Sequence, residues 1–251
     1  MGVHGRHVVI TGGGSGVGAE LARRFAASGA AVTIMGRRIE PLDEVARETG
    51  ALAAACDVTD RVGVDAALER ARARHGPVAV AIANAGIAHS APFKAMTLEE
   101  LNAALAVNLI GAVNLWQATL TDMKDAGWGR LIAVASTAGL KGYGYVGAYC
   151  AAKHAVVGLT RALAVELGPT AVTVNAICPG YIETPMLERA VENIVEKTGA
   201  APERARATLL AGNPQRRFIQ TDEVAAAALW LCSEGARSIN GQALAISGGE
   251  I

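Results

Sequence analysis

Residues 7–28 read HVVITGGGSGVGAELARRFAAS, and this stretch decides the fold. A short apolar, β-branched run enters a glycine cluster, and an amphipathic pattern carrying Leu21, Ala22 and Phe25 follows. The reading is strand, tight turn, helix. Thr11, Gly12, Gly16 and Gly18 parse as T-G-x3-G-x-G, with Ser15 and Val17 inside the same turn. Such glycines let the backbone approach a pyrophosphate, whose charge is favoured by the free N–H groups of a helix N-terminus. AVTIM (31–35) supplies the next strand, so the turn sits in a βαβ unit and reads as a dinucleotide site.

Outward from that unit the alternation continues. Strand-like runs fall at 51–58, 78–86, 130–136, 172–180 and 242–247. Helix-like segments fall at 17–28, 40–49, 61–75, 98–126, 148–168 and 222–233, with Thr221 or Asp222 able to cap the last. Runs such as VAVAIANAG (78–86) are continuously apolar, as strands buried on both faces should be. The expected architecture is α/β: one Rossmann domain over 1–251, a doubly wound parallel sheet of about seven strands with helices on both faces. The segment 184–216 fits least well. It is helical in pattern but broken at Gly199, Pro202 and Gly212, and is expected to form a helical lid over the substrate.

Composition excludes several classes of function. Of 251 residues, 51% are hydrophobic and 18% charged, which argues for a large core and against disorder. A formal net charge of zero leaves no electrostatic footprint for nucleic acid or a membrane surface. Cys56, Cys150, Cys178 and Cys232 have no metal-ligand spacing, so no metal site is expected and free thiols in a reducing compartment are. The N-terminus enters a strand almost at once, without the pattern of a signal peptide, and a cytoplasmic protein is expected. His4 and His7 are read as a frayed strand entrance.

The second strand ends IMGRRIE. An acidic side chain here would hold ribose hydroxyls and repel a 2′-phosphate. This chain instead has Gly36, Arg37 and Arg38, and a guanidinium can clamp that phosphate. NADP(H) is therefore favoured, with NAD(H) possible.

Several further segments stand in order along the chain: CDV (56–58), NAG (84–86), VNLIGAV (107–113), Ser136 closing a strand, YCAAK (149–153) and CPGYIETPM (178–186). Together with TGGGSGVG they resemble the short-chain dehydrogenases/reductases over nearly the whole chain. The segment from Ser136 to Met186 is also similar to ketoreductases of aromatic polyketide synthesis and to 3-oxoacyl reductases. The resemblance implies a catalytic tetrad of Asn108, Ser136, Tyr149 and Lys153. Tyr149 would exchange a proton with the carbonyl oxygen, Ser136 would polarise that oxygen, and Lys153 would hold the nicotinamide ribose. Asn108 would hold a water linked to the lysine. It further implies Asp57 and Val58 at the adenine, Asn84, Ala85 and Gly86 along the cofactor, Pro179 and Gly180 at a turn beside it, and Ile182 and Thr184 near the carboxamide and phosphates.

Tyr149 and Lys153 are one helical turn apart, so the ammonium is expected to lower the phenol's pKa from about 10. Cys150, one residue on, points to another face and is expected only to pack. Bacterial 3-hydroxybutyrate dehydrogenases, which the chain also resembles, grip a carboxylate with Gln, His, Lys and Gln. The matching positions here are Ala88, Ala138, Val146 and Ala190, which disfavours a small hydroxy acid. With His89 and Tyr143 these four form the expected substrate pocket. The expected reaction interconverts a ketone and a secondary alcohol, best a 3-oxoacyl thioester or similar carbonyl compound. The alternatives are a secondary-alcohol dehydrogenase working oxidatively and a non-catalytic NADP(H)-binding sensor or scaffold. A homotetramer or homodimer packed through the two long helices completes the expectation.

Overall fold

The computed structural model describes residues 2–251. Seven strands form one wholly parallel sheet: β1 (His7–Thr11), β2 (Ala31–Gly36), β3 (Leu52–Ala55), β4 (Val78–Ala83), β5 (Gly129–Val134), β6 (Val172–Pro179) and β7 (Ala243–Ile246). Their order is β3-β2-β1-β4-β5-β6-β7. The direction of winding reverses between β1 and β4, which opens a crevice at the carboxyl ends of those strands.

Strand alternation sorts the core into two layers. Val8, Ile10, Val80, Ile82 and Ile132 face α1 (Gly16–Ala27), α2 (Ile39–Thr49) and α9 (Thr221–Leu231). Val9, Ala81, Ala83, Leu131 and Ala133 face α3 (Arg61–His75), α5 (Gly111–Asp125) and α6 (Gly147–Glu166). The second layer is rich in alanine, so its helices can approach closely, with Leu115 and Trp116 filling the space between.

The strands are shorter than the apolar runs suggest. The runs at 51–58 and 78–86 leave the sheet at Ala55 and Ala83. The long helix 98–126 is confirmed but is not uniform. α4 (Leu98–Leu105) passes through a π-helical turn at Ala106–Ile110 before α5. This 28-residue helix is long and apolar enough to cross a membrane by length and composition. It packs instead on β4, burying Ala112, Leu115, Trp116 and Met123 in the core. The segment 184–216 forms α7 (Pro185–Thr198) and α8 (Pro202–Leu210), separated at Gly199, as the breaks in the sequence indicate. α9 begins after Gln220, one residue before the expected caps, because the Glu223 carboxylate accepts from the Gln220 N–H at 2.8 Å.

His7 corrects the expectation of a frayed entrance. It is 2% exposed, with Nδ1 2.8 Å from the Gly76 carbonyl and Nε2 3.0 Å from Thr33 Oγ1. Burial lowers its pKa to about 4.

Candidate active site

The glycine turn is held open by backbone geometry. Gly12 and Gly16 have φ of +67° and +52°, which side chains rarely adopt. A Cβ on Gly18 would lie 2.1 Å from the Gly12 carbonyl oxygen, so α1 starts as close to the turn as a backbone can come. Ser15 occupies the N-cap position of α1 without capping it, and the first turn holds no acidic residue. The helix N-terminus is therefore free to receive an anion. Thr11 has a different place: Oγ1 accepts from the Asn84 and Ala85 N–H groups at 3.0 and 3.1 Å. Asn84 Nδ2 donates to the Thr11 carbonyl at 2.9 Å. These bonds tie the ends of β1 and β4 together.

Arg37 and Arg38 are exposed at the end of β2, in no ion pair among the described residues. Asp57 Oδ1 accepts from the Thr59 N–H and hydroxyl, which hold its carboxyl below the usual range. Val58 is buried against Gly111, and Asn114 Nδ2 donates to its carbonyl at 2.9 Å. Asn114 was not singled out in the sequence; nothing local marks it, since its partner lies on another element.

Across the crevice, Pro179 ends β6, the Gly180 N–H donates to Ile246 O at 2.9 Å, and Ile182 pairs with Ile219. Thr184 precedes α7, and its Cγ2 would lie 3.2 Å from a Cβ on Gly16. The two turns thus face each other. The glycine turn meets the requirements of a dinucleotide: a cradle that side chains would fill and an uncommitted helix N-terminus.

The tetrad residues come together below these turns. Ser136 ends the loop after β5, where its Oγ accepts from the Ala138 N–H at 3.0 Å. Tyr149 and Lys153 lie on α6, with Nζ 5.5 Å from the centre of the phenol ring. Lys153 is 4% exposed, and its ammonium donates to the Val134 carbonyl at 2.8 Å. Asn108 lies in the π-helical turn. Its Nδ2 donates to Ile87 O and to Ala104 O, four residues back, each at 2.9 Å. The side chain takes the carbonyl that a regular helix would give its backbone, which accounts for the widened turn. Asn108 Oδ1 is buried and without a partner. A Cβ on Gly86 would lie 2.7 Å from that oxygen and 3.6 Å from Lys153 Nζ, so both polar atoms flank Gly86.

The electrostatics correct one expectation. Burial pushes the Tyr149 phenol up to about 12, against an opposing pull from the Ser136 hydroxyl. Burial likewise lowers Lys153 to about 8. Desolvation is the largest cause of both shifts. Cys178, buried near Lys153, is pushed up to about 11 and stays a neutral thiol. Cys150 is half-buried, and all four cysteines are free.

The expected substrate residues divide. Ala88 and His89 are exposed, with His89 Nε2 2.8 Å from Glu100 Oε1. Val146 and Ala190 are half-buried, one at the start of α6 and the other on α7. Ala138 is 3% exposed and presents almost no surface to a ligand. Tyr143 is half-buried and hydrogen-bonded to Thr137 and Glu250, each at 2.7 Å. Glu250 drew no notice in the sequence.

Comparison with known proteins agrees with this geometry. The family model for short chain dehydrogenase matches residues 6–194. D-beta-hydroxybutyrate dehydrogenase of Cupriavidus necator is 34% identical over 98% of each chain. A crystal structure of actinorhodin polyketide ketoreductase with NADPH superposes with a TM-score of 0.94 at 34% identity, covering 98% of this chain and 97% of that one. A 3-ketoacyl-(acyl-carrier-protein) reductase from Brucella melitensis complexed with NADH gives 0.90 at 33%, covering 98% of each. With this sheet order and match, the chain belongs to the short chain dehydrogenase family of oxidoreductases.

Proposed function

We propose that the protein is an NADP(H)-dependent oxidoreductase that interconverts a ketone and a secondary alcohol, with a 3-oxoacyl thioester or similar neutral carbonyl compound as substrate. The observation that carries this reading is the meeting of Tyr149, Ser136 and buried Lys153 beside Asn108 Oδ1, under a glycine turn fit for a dinucleotide. The nicotinamide cofactor, when bound, supplies or takes up the hydride. Tyr149 gives its phenolic proton to the carbonyl oxygen in reduction, and the high phenol pKa keeps that proton in place at neutral pH. The Ser136 hydroxyl donates to the same oxygen and polarises the carbonyl.

Lys153 has two ammonium hydrogens beyond the one given to Val134 O. They serve the nicotinamide ribose and a proton path towards Asn108. Arg37 and Arg38, free of partners, take the 2′-phosphate. α7 and α8 cover the substrate. Support comes from a hydrogen bond between Asn193 on α7 and Ser90 in the loop after β4, and from Arg206 on α8 pairing with Glu183 and Glu188. Unchanged hydrogen exchange in this hairpin on substrate binding would count against a lid. An oligomer through the long helices is supported by Ile110 and Val165, which leave 44% and 81% of their surface exposed. Sedimentation as a monomer would refute it.

The test is a panel of ketones and secondary alcohols with NADPH and NADH, run on the wild-type protein and Tyr149→Phe. The variant is expected to bind NADPH normally and to lose turnover by several orders of magnitude. Tight NADPH binding without turnover of any panel member by the wild type would favour a sensor instead.

A further inference from the structure

Glu250 is the penultimate residue and lies outside every motif of the sequence. After β7 the chain turns back, and the Glu250 side chain, 5% exposed, lands among the loops around the candidate tetrad. Its Oε1 accepts from the Tyr143 phenol at 2.7 Å and from Lys141 Nζ at 2.9 Å. Tyr143 Oη is also 2.7 Å from Oγ1 of Thr137, the neighbour of Ser136. The Tyr143 ring meets Tyr181 edge-on, with centroids 6.2 Å apart, at the turn after β6. A Cβ on Gly180 would lie 3.3 Å from Oε2, and one on Gly212 2.9 Å from Oε1. Three segments therefore close on one carboxylate: the loop before α6, the turn after β6 and the turn after α8.

The second oxygen, Oε2, accepts no hydrogen bond among the described residues, yet is not one of the fully enclosed unpartnered atoms. A largely buried carboxylate with an open acceptor calls for a donor, and it disfavours a second negative charge. We propose that Glu250 is a specificity-determining residue: its free oxygen accepts a hydrogen bond from a donor group on a neutral substrate, a few atoms from the reacting carbonyl, and its charge turns away substrates bearing a carboxylate. The inference rests on the ketoreductase reading above. Lys141, at 2.9 Å from Oε1 and 39% exposed, offsets only part of the charge, since a group at Oε2 lies nearer the carboxylate than the ammonium. The donor chemistry is shared by the hydroxyl of a hydroxy ketone and the amide N–H of a thioester arm.

Four probes separate these cases: 4-hydroxy-2-butanone, the N-acetylcysteamine thioester of acetoacetate, ethyl acetoacetate and acetoacetate. With the wild-type holoenzyme and Glu250→Ala, KM is expected to rise about tenfold in the variant for the probes that carry a donor and to stay within about twofold for ethyl acetoacetate. A rise for only one donor probe supports the proposal and identifies the donor. Glu250→Gln keeps the shape and the acceptor for Tyr143; it is expected to raise kcat/KM for acetoacetate about tenfold relative to ethyl acetoacetate. An equal loss on all four probes, or better use of acetoacetate by the wild type than by Glu250→Gln, overturns the proposal. Saturation-transfer NMR on the cofactor-free protein ranks binding without turnover. Absence of turnover would thus sink the ketoreductase reading, while an unchanged binding order in Glu250→Ala would sink the role of Glu250.

Discussion

Lys153 is a cation held in the core without a carboxylate partner, so removing its charge should stabilise the folded chain while abolishing its use. Its pKa falls from 10.5 to about 8 through burial. At about 1.4 kcal/mol per unit, keeping the ammonium charged costs the fold about 3 kcal/mol at neutral pH. Lys153→Met preserves length and apolar stem but leaves the Val134 carbonyl, 2.8 Å from Nζ, without its donor. That loss costs about 1–2 kcal/mol. The variant is therefore expected to be more stable than the wild type by about 1–2 kcal/mol at pH 7.

The sign of the pH dependence follows from the depressed pKa. Below pH 8 both folded and unfolded lysine carry the proton, and the full cost is present. Between 8 and 10.5 the unfolded chain keeps its proton while the folded chain sheds it, so wild-type stability gains on the variant as pH rises. Urea unfolding of the two cofactor-free proteins, followed by circular dichroism from pH 7 to 10, measures both effects. Turnover of the variant should fall by orders of magnitude, and NADPH should raise the melting temperature of the wild type more than that of the variant. A variant less stable at pH 7 by more than 1 kcal/mol, with a gap that does not change with pH, would show that Lys153 is held favourably and refute the reasoning.

Arg37→Asp places a carboxylate where the 2′-phosphate is expected and should reduce kcat/KM with NADPH by about 30-fold or more relative to NADH; a wild-type preference for NADH would sink the assignment. His7 has a folded pKa of about 4 against an ordinary 6.5, so its contribution is intact above pH 6.5 and is lost as the unfolded chain protonates towards pH 4. Denaturation at pH 7 and 4.5 should show the wild type losing about 2–3 kcal/mol more than His7→Gln; equal losses would place the acid sensitivity elsewhere. Tyr149 near 12 predicts that alcohol oxidation accelerates about tenfold per pH unit above neutrality, until the phenol of the holoenzyme titrates, while ketone reduction stays flat. Parallel profiles in the two directions would remove Tyr149 from the proton step.

The Tyr149–Lys153 pair and the glycine turn were legible in the sequence because each is written at short range. Tyr149 and Lys153 share a helix face, and Gly12, Gly16 and Gly18 share one turn. What stayed illegible depends on partners distant along the chain. His7 looks like a polar strand end until Gly76 and Thr33 are brought to it. Glu250 looks like a terminal surface charge until Tyr143, 107 residues away, is set against it. The π-helical turn at Asn108 leaves no trace in apolar periodicity, since one side-chain amide produces it by taking Ala104 O. The phenol's pKa was misjudged for a related reason. Spacing shows that a lysine is near, but not how fully the fold desolvates the phenol.

That alanine-rich stretch of α6 couples packing to chemistry. Ala148 and Ala152 are buried against Ala104 of α4, and a Cβ on Gly139 would lie 2.7 Å from the Lys153 carbonyl. Larger side chains would separate these backbones and admit water around the phenol and the ammonium. With small residues the site stays dry, and the same dryness raises Tyr149 and lowers Lys153. The two shifts have unequal consequences. A phenol near 12 is already in the state that donates a proton, so reduction asks nothing further of it. On the proposed mechanism oxidation needs the phenolate, which burial disfavours at neutral pH; the remaining stabilisation has to come from charge brought into the site. On the same mechanism, the packing of α6 therefore keeps the phenol in the protonated state that reduction uses.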